Sequence, residues 1–483
     1  MKKATKVFTL FGLGLFLLSV TSCQQAVVIT GEVEKGELEK RVDEVFDRFN
    51  QETPGAALAV IKDGEVVYKK GYGSAQLEYG IPIGANTVFH VASVSKQFVA
   101  FSILQLAEEG KLKLDDEIRE YLPEVPDFGK KITIRHLIHH VSGLRDQWVL
   151  LRMGGWRMDD VITTEHILKL VERQKELNFE PGAEYLYCNT GYTLLAEIVA
   201  RVTGKSFRQW TGENIFEPLG MTNTHFHDDH EMIVKNRAYS YRPVGEDGYK
   251  KAVLSFANVG ATSLFTTAED LAKWLINFEE KKVGSEALFE QIHEQGVLND
   301  GEEISYAFAL SVGRYKGLKT VGHSGSDAGF RSYATRFPEQ RFGVVVLSNV
   351  SNSNPSGLAR EVVDIYLAEE IIEPEPRSRQ ERSRERRETE RATLSEEELG
   401  EYAGEYYSEE LDTTYRLIVR EGELVGRHQR HSDFRLRFNE EDEFRGGVLG
   451  TIRFDRNVEG GIEGFKATSG RVRNLWFEKI AGK

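Results

Sequence analysis

A serine and a lysine near the start of a predicted helix have the side chains needed for attack on a carbonyl carbon. The segment Ser93-Val94-Ser95-Lys96 opens a helical pattern, so Ser93 and Lys96 lie at positions i and i+3 on one helix face. A serine hydroxyl attacks a carbonyl only when another group takes its proton, and a lysine whose pKa is lowered by burial can do so. Free N–H groups at the helix N-terminus also stabilise a developing oxyanion. The pair predicts acyl transfer, with Ser93 as nucleophile and Lys96 as base.

Two further motifs follow in order and strengthen this prediction. A Ser-x-x-Lys motif alone is weak, because it occurs about once by chance in a chain of this length. Here Tyr-Cys-Asn at 187–189 precedes a helix predicted to start near Tyr192, and Gly-His-Ser-Gly-Ser at 322–326 precedes a predicted β-hairpin. The three motifs in this order are the signature of penicillin-recognising serine enzymes.

The sequence resembles the class C β-lactamase-like serine hydrolases, which include D-peptidases, esterases and β-lactamases. The resemblance runs from about Thr53 to Leu367 and includes ITIRHLIHHVSGL at 132–144 and GHSGSDAGF at 322–330. It implies an α+β fold in which an antiparallel sheet is flanked by helices and carries an inserted helical subdomain. It also implies hydrolysis of esters or amides, including D-amino-acid peptides, through a covalent acyl-enzyme and without a cofactor or metal.

The family pattern implies a catalytic role for four side chains. Ser93 is the nucleophile, Lys96 is its base, and Tyr187 passes the proton to the leaving atom. His323 faces Tyr187 and tunes its charge.

The same pattern implies how the substrate is held. Asn189 binds an amide or ester carbonyl of the substrate, and the backbone N–H groups of Ser93 and Ser326 form the oxyanion hole. The substrate-binding positions that the pattern implies are Asn189, Ser324, Gly325 and Ser326.

The sequence departs from the family pattern at two positions. His323 stands where β-lactamases usually have lysine, and Cys188 stands where serine is common. Histidine is mostly neutral near neutral pH, so it holds a substrate carboxylate more weakly than lysine does. We therefore expect neutral esters or D-amino-acid amides to be preferred, with β-lactamase or D-Ala-D-Ala carboxypeptidase activity as an alternative and Arg331 as a second candidate for positive charge. Cys188 is predicted to pack.

Two other functions remain open on sequence grounds. The segment HFHDDH at 225–230 matches a zinc-hydrolase pattern in which His225, His227, Asp229 and His230 are ligands. It follows a helix end rather than a buried strand, which disfavours that interpretation. A penicillin-binding sensor that is acylated without turnover is the third hypothesis.

Changes in composition divide the chain into regions. We expect the hydrolase at 32–372, a charged linker at 373–393 and a small all-β barrel at 394–481, which resembles the lipocalin-like domain of some family members. The barrel interior is expected to be filled by side chains. We also expect each of the two folded regions to have its own core, so that cleavage in the linker leaves a folded hydrolase.

Charge and the N-terminus limit the partners and the location. The formal net charge of -14 opposes nucleic-acid binding, so the expected partner is a small-molecule or peptide substrate, and no oligomeric state is indicated. Residues 1–22 are typical of a secretory signal. The motif Val20-Thr21-Ser22-Cys23 resembles a lipobox, which predicts a lipid-anchored lipoprotein of the cell envelope, facing the periplasm at the outer membrane of a Gram-negative bacterium.

Lipidation at Cys23 can be tested by substitution. Replacing Cys23→Ala should release the protein from membranes, because the thiol that carries the lipid is lost. Fractionation of bacteria expressing the chain with its own leader measures this, and a wild-type protein that is already soluble would contradict it.

Overall fold

The computed structural model describes residue 1 and residues 36–246, 248–372 and 394–480. The expected lipidation site Cys23, the leader beyond Met1 and the expected linker at 373–393 lie outside the described residues. Within the described ranges, no helix is long and apolar enough to cross a membrane.

A six-stranded antiparallel sheet joins the two ends of the hydrolase region. Ala56–Lys62 pairs with Phe342–Ser348, so early and late strands are neighbours, as the α+β prediction requires. All seven residues of Phe342–Ser348 are buried, which shows that helices cover both faces of this strand. The strands lie in the order Ser311–Tyr315, Leu318–Asp327, Phe330–Phe337, Phe342–Ser348, Ala56–Lys62 and Glu65–Tyr72.

Alternate residues of the central strands enter two different cores. Ala57, Ala59 and Ile61 pack with helix Ala268–Glu280 in the larger core. Leu58 and the residues two positions before and after it face the other side of the sheet. The helices at 36–45 and Pro355–Tyr366 cover that side. This follows from the two-residue period of a strand.

A helical subdomain is inserted between the second and third sheet strands in the sequence. Its short helices and strands support the two long helices that carry the active-site motifs. The helices are Lys96–Glu108, Ile134–Ile138, Gln147–Met153, Thr164–Glu172, Asn189–Thr203, Phe207–Thr211, Glu217–Leu219, Ala268–Glu280 and Glu286–Gln291, with 3₁₀ turns at Ala92–Ser95 and Ile118–Glu120 and a π-helical turn at Gly212–Phe216. The short strands are Ser74–Gln76, Ile81–Pro82, Phe89–His90, Val161–Thr163, His225–Phe226, Tyr241–Val244, Gly248–Lys251, Ser255–Ala257 and Leu264–Thr266.

The segment that carries the first motif begins as a strained turn. Ala92 has a φ of 47°, in the left-handed region that a non-glycine residue enters at a cost of about 1–2 kcal/mol. Ser95 holds the turn in place, since its Oγ donates to Ala92 O at 2.6 Å and accepts from Leu264 N at 3.0 Å. The α-helix then runs from Lys96 to Glu108 through the core.

The C-terminal region is a closed eight-stranded barrel, as predicted. Its interior is filled by aromatic side chains, since Tyr406, Tyr415, Phe444, Phe465 and Phe477 have no exposed surface. Helix Glu396–Tyr402 precedes the strands. They are Gly404–Ser408, Thr413–Arg420, Glu423–His428, His431–Glu440, Glu443–Gly446, Gly450–Arg456, Ile462–Ser469 and Val472–Ile480, with a 3₁₀ turn at Gly447–Leu449.

The barrel and the hydrolase region share part of an apolar core, although each region also has apolar clusters of its own, and cleavage in the linker stays a prediction. Val149, Leu150 and Met153 of the hydrolase region pack into the apolar cluster of the barrel. Beside them the side chain of Arg145, which is fully buried, pairs with the buried carboxylate of Glu410 at 2.6 Å. An apolar patch and a buried ion pair therefore join the two regions.

Removing one partner of this ion pair should destabilise the protein. Glu410→Ala leaves the buried Arg145 guanidinium with only the exposed carboxylate of Glu176, at 3.8 Å, as a counter-charge, and we expect a loss of about 3–5 kcal/mol in the free energy of unfolding. Urea denaturation measures the loss. The control is Asp433→Ala, which breaks an exposed pair with Arg420 at 2.9 Å and should cost no more than about 1 kcal/mol. Equal losses in the two variants would contradict the interpretation.

Candidate active site

The Lys96 amine lies within hydrogen-bond distance of the Ser93 hydroxyl. Lys96 Nζ is 3.0 Å from Ser93 Oγ, 2.9 Å from Asn189 Oδ1 and 2.6 Å from Ala261 O. A protonated amine donates to all three oxygens. When it is neutral, two N–H groups hold Asn189 and Ala261, and the lone pair faces the Ser93 hydroxyl. The geometry therefore orients the amine to accept the serine proton.

Burial prepares Lys96 for this role. Its side chain has no exposed surface, and desolvation lowers the pKa of the amine to about 7, although the carboxylates of Asp327 and Asp146 oppose the shift. A substantial fraction of the amine is therefore neutral near neutral pH, whereas an ordinary lysine would be almost fully charged.

Asp146, which the sequence reasoning missed, fixes the orientation of Asn189. Its buried carboxylate accepts from the backbone N and from Nδ2 of Asn189, both at 2.8 Å. Because Nδ2 is held in this way, Oδ1 of the amide turns toward Lys96. Helix Asn189–Thr203 begins at Asn189 itself, three residues before the predicted start near Tyr192. Asp146 also caps helix Gln147–Met153, and a helix-capping pattern was the only available sequence signal for it.

The Tyr187 hydroxyl is buried beside this pair. The ring centre of Tyr187 is 5.0 Å from Lys96 Nζ and 4.1 Å from the ring centre of His140. Burial raises the pKa of the phenol well above its usual value, so the hydroxyl stays protonated. Among the described residues this hydroxyl has no hydrogen-bond partner, which leaves its proton available to a ligand.

His323 lies beside Tyr187, with 6.2 Å between the ring centres, and it is neutral. Nδ1 is 2.6 Å from the Ser324 carbonyl oxygen, which can only accept, so Nδ1 carries the proton. Nε2 then accepts from the Tyr306 hydroxyl at 3.0 Å. Burial and the nearby Lys96 amine lower the pKa of His323 to about 4. The imidazole therefore supplies no positive charge near neutral pH.

The third motif runs along strand Leu318–Asp327, which lies against the turn that carries Ser93. A Cβ atom added to Gly325 would lie 2.2 Å from Val91 O and 3.0 Å from Ser93 N. Only glycine allows the backbone to approach this closely. The approach brings Ser324 and Ser326 to the pocket that also contains Ser93.

One open pocket combines the predicted positions with residues that the sequence did not indicate. Ser93, Tyr187 and His323 line it together. The other predicted residues in its wall are Asn189, Ser324, Gly325, Ser326 and Arg331, and the unexpected ones include Trp148, Tyr185, Tyr306, Asp327 and Arg471. Arg471 belongs to the barrel, so both folded regions contribute to the wall.

The histidine-rich segment at 225–230 is used for packing. The rings of His225 and His227 lie 5.7 and 4.5 Å from the ring of Phe265, and Asp228 pairs with Arg208 at 3.0 Å. Over the described ranges, no three His, Cys, Asp or Glu side chains are grouped to hold a metal ion. His225 Nε2 and His227 Nδ1 are 3.5 Å apart, but Asp229 and His230 do not join them in such a group.

Cys188 packs in the core, as predicted. It is 3% exposed, and its thiol is 3.3 Å from Leu144 O. Burial raises the pKa of the thiol to about 11, so the reactive thiolate is scarce near neutral pH.

Comparison with known proteins finds relatives that are named D-aminopeptidases. The chain is 28% identical to the D-aminopeptidase of Gluconobacter oxydans (strain 621H) over 301 residues, which cover 61% of this chain and 56% of the relative. It is also 28% identical to the D-aminopeptidase of Brucella anthropi over 318 residues, covering 66% of this chain and 60% of the relative. The chain thus spans less than two thirds of either relative.

The similarity in three dimensions includes the barrel. The octameric penicillin-binding protein homologue from Pyrococcus abyssi matches with a TM-score of 0.61 and 25% identity, over 92% of this chain and 99% of that one. The Beta-lactamase family model matches residues 42–368, which is more than half of the chain. The protein therefore belongs to the Beta-lactamase family.

Proposed function

We propose that this protein is a serine hydrolase that cleaves D-amino-acid peptides, amides or esters through an acyl-enzyme on Ser93. The observation that carries the proposal is the 3.0 Å contact between Ser93 Oγ and the buried Lys96 amine, whose pKa is about 7. The substrate class is supported by the two relatives, both of which are named D-aminopeptidases.

Acylation follows from the positions of these groups. Neutral Lys96 takes the proton of Ser93 while Oγ attacks the substrate carbonyl carbon. The backbone N–H groups of Ser93 and Ser326 donate to the oxyanion that forms, and Asn189 binds a substrate carbonyl. Tyr187 gives its proton to the leaving atom as the acyl bond breaks, and the proton on Lys96 restores it. Water then attacks the acyl-enzyme and releases the acid.

The alternatives give different results with the same purified protein. A β-lactamase hydrolyses a chromogenic cephalosporin, and a D-Ala-D-Ala carboxypeptidase releases D-alanine from an acylated peptide. A penicillin-binding sensor is labelled at Ser93 and stays labelled. A zinc hydrolase using the 225–230 segment loses activity on chelation and regains it with zinc.

Ser93→Ala should abolish hydrolysis without unfolding the protein, because it removes only the nucleophile. Activity toward D-alanine amide and a p-nitrophenyl ester, together with a fluorophosphonate label, measures this. The matched control is Ser102→Ala on helix Lys96–Glu108, which follows the turn that carries Ser93; its Oγ donates to the Phe98 carbonyl oxygen in the core. It should keep activity and labelling at Ser93. Residual activity of Ser93→Ala above about one hundredth of wild type would contradict the covalent route.

The pH dependence should report the Lys96 amine. Because only the neutral amine accepts the serine proton, kcat/KM for a neutral ester should rise with pH through about 7 and then level off. Lys96→Arg should be inactive across this range, since a guanidinium does not lose its proton. Initial rates from pH 5 to 9 measure the profile, and a flat profile would mean that another group is the base.

A further inference from the structure

The barrel places one arginine in the wall of the active-site pocket. Arg471 lies in the turn between strands Ile462–Ser469 and Val472–Ile480. Its carbonyl oxygen accepts from Asp146 N at 3.3 Å and from Asn178 Nδ2 at 3.0 Å, so the turn is hydrogen-bonded to the hydrolase region. The backbone is therefore anchored at the residue whose side chain reaches the pocket.

The Arg471 guanidinium has donors left for a ligand. Nη2 donates to Asp146 Oδ1 at 3.0 Å, and the guanidinium carbon is 5.6 Å from the ring centre of Tyr187. The side chain is 34% exposed and lines the pocket that contains Ser93. Nε is buried without a hydrogen-bond partner among the described residues. Because Nε is enclosed by the protein, a ligand would meet the exposed part of the guanidinium, where Asp146 engages Nη2.

The other charged groups around the pocket are already engaged. The Lys96 amine is fully buried on its three oxygens, and His323 is neutral. Arg331 directs Nη1 at the carbonyls of Ala328 and Phe330. The carboxylate of Asp327 bonds His90 Nε2 at 2.9 Å. Arg471 is thus a fixed cation beside Tyr187 with free donors.

We propose that Arg471 binds a carboxylate of the substrate, and that the barrel thereby selects substrates with a carboxylate near the scissile bond. A guanidinium suits this role because its planar fork holds a carboxylate through parallel N–H bonds. One nitrogen of the guanidinium can keep its hydrogen bond to Asp146 while another donates to the carboxylate of the ligand. The inference rests on the proposed function, and it replaces the preference for neutral substrates that His323 alone led us to expect.

The test compares paired substrates that differ in a carboxylate. D-Ala-D-Ala and its C-terminal amide place the difference on the leaving group, and the p-nitrophenyl monoester of glutaric acid and p-nitrophenyl butyrate place it on the acyl group. Arg471→Gln should lower the ratio of kcat/KM, carboxylated to neutral, at least about tenfold in one pair, which identifies the side that carries the charge. Arg471→Lys should retain part of the preference for the carboxylated substrate, because the positive charge remains.

The matched control is Arg473→Gln, two residues further along the chain, in strand Val472–Ile480. This change removes the same charge, but the Arg473 side chain pairs with Glu184 at 2.9 Å on the surface. It should leave both ratios unchanged. An equal loss on both members of each pair in Arg471→Gln would show a positioning role through Asp146 only and overturn the inference. The inference would also be overturned if the ratio of kcat/KM values changed in Arg331→Gln but not in Arg471→Gln.

Binding to an inactive protein separates this inference from the proposed function. In the Ser93→Ala background, calorimetry should show that D-Ala-D-Ala binds at least about tenfold more tightly than its C-terminal amide, and that Arg471→Gln removes the difference. Suppose that the wild-type protein hydrolyses none of the substrates and this difference in binding is still observed. The proposed function then fails and the carboxylate site stands. If both ligands bind equally, the carboxylate site fails whatever the activity. Thermal unfolding of each variant identifies any that do not fold.

Discussion

The burial of the Lys96 amine is the constraint on which the rest of the structure depends. An ammonium group removed from water is strongly disfavoured unless polar groups replace the solvent, and here the replacements are Ser93, Asn189 and the Ala261 carbonyl. These oxygens come from three segments far apart in the chain. The fold must therefore hold three backbones around one nitrogen, and the same burial that lowers its pKa makes it a base.

Each of these contacts has its own support. Asp146 fixes Asn189, and Ser95 anchors the turn that carries Ser93 to the strand at Leu264. Gly325 lets the third motif lie directly against that turn. The support continues into the barrel, where Arg471 bonds Asp146. A hydrogen-bonded path thus runs from the C-terminal hairpin to the Lys96 amine.

The features that were predicted correctly from the sequence are those that depend on the spacing of residues within one helix or strand. The i and i+3 spacing placed Ser93 beside Lys96, and alternating patterns predicted the sheet and the barrel strands, because those periods are properties of single elements. Asp146 and Arg471 were missed because their roles arise from a contact across 325 residues of sequence. The shared core was missed for a related reason, since the apolar residues of helix Gln147–Met153 do not reveal which partner covers them. His323 adds no positive charge near neutral pH, as expected, and the substrate preference stays a prediction, made without Arg471, which the barrel places in the pocket wall.

The position of Arg471 in the chain has a consequence for when the candidate active-site pocket is completed. Ser93 and Lys96 leave the ribosome early, while the hairpin that completes the pocket wall is made only after the six preceding barrel strands. Closing a barrel requires its last strand to pair with its first, here Val472–Ile480 with Gly404–Ser408. A nascent chain thus carries its reactive serine for most of its synthesis without the arginine, and the finished pocket wall appears only when the barrel closes.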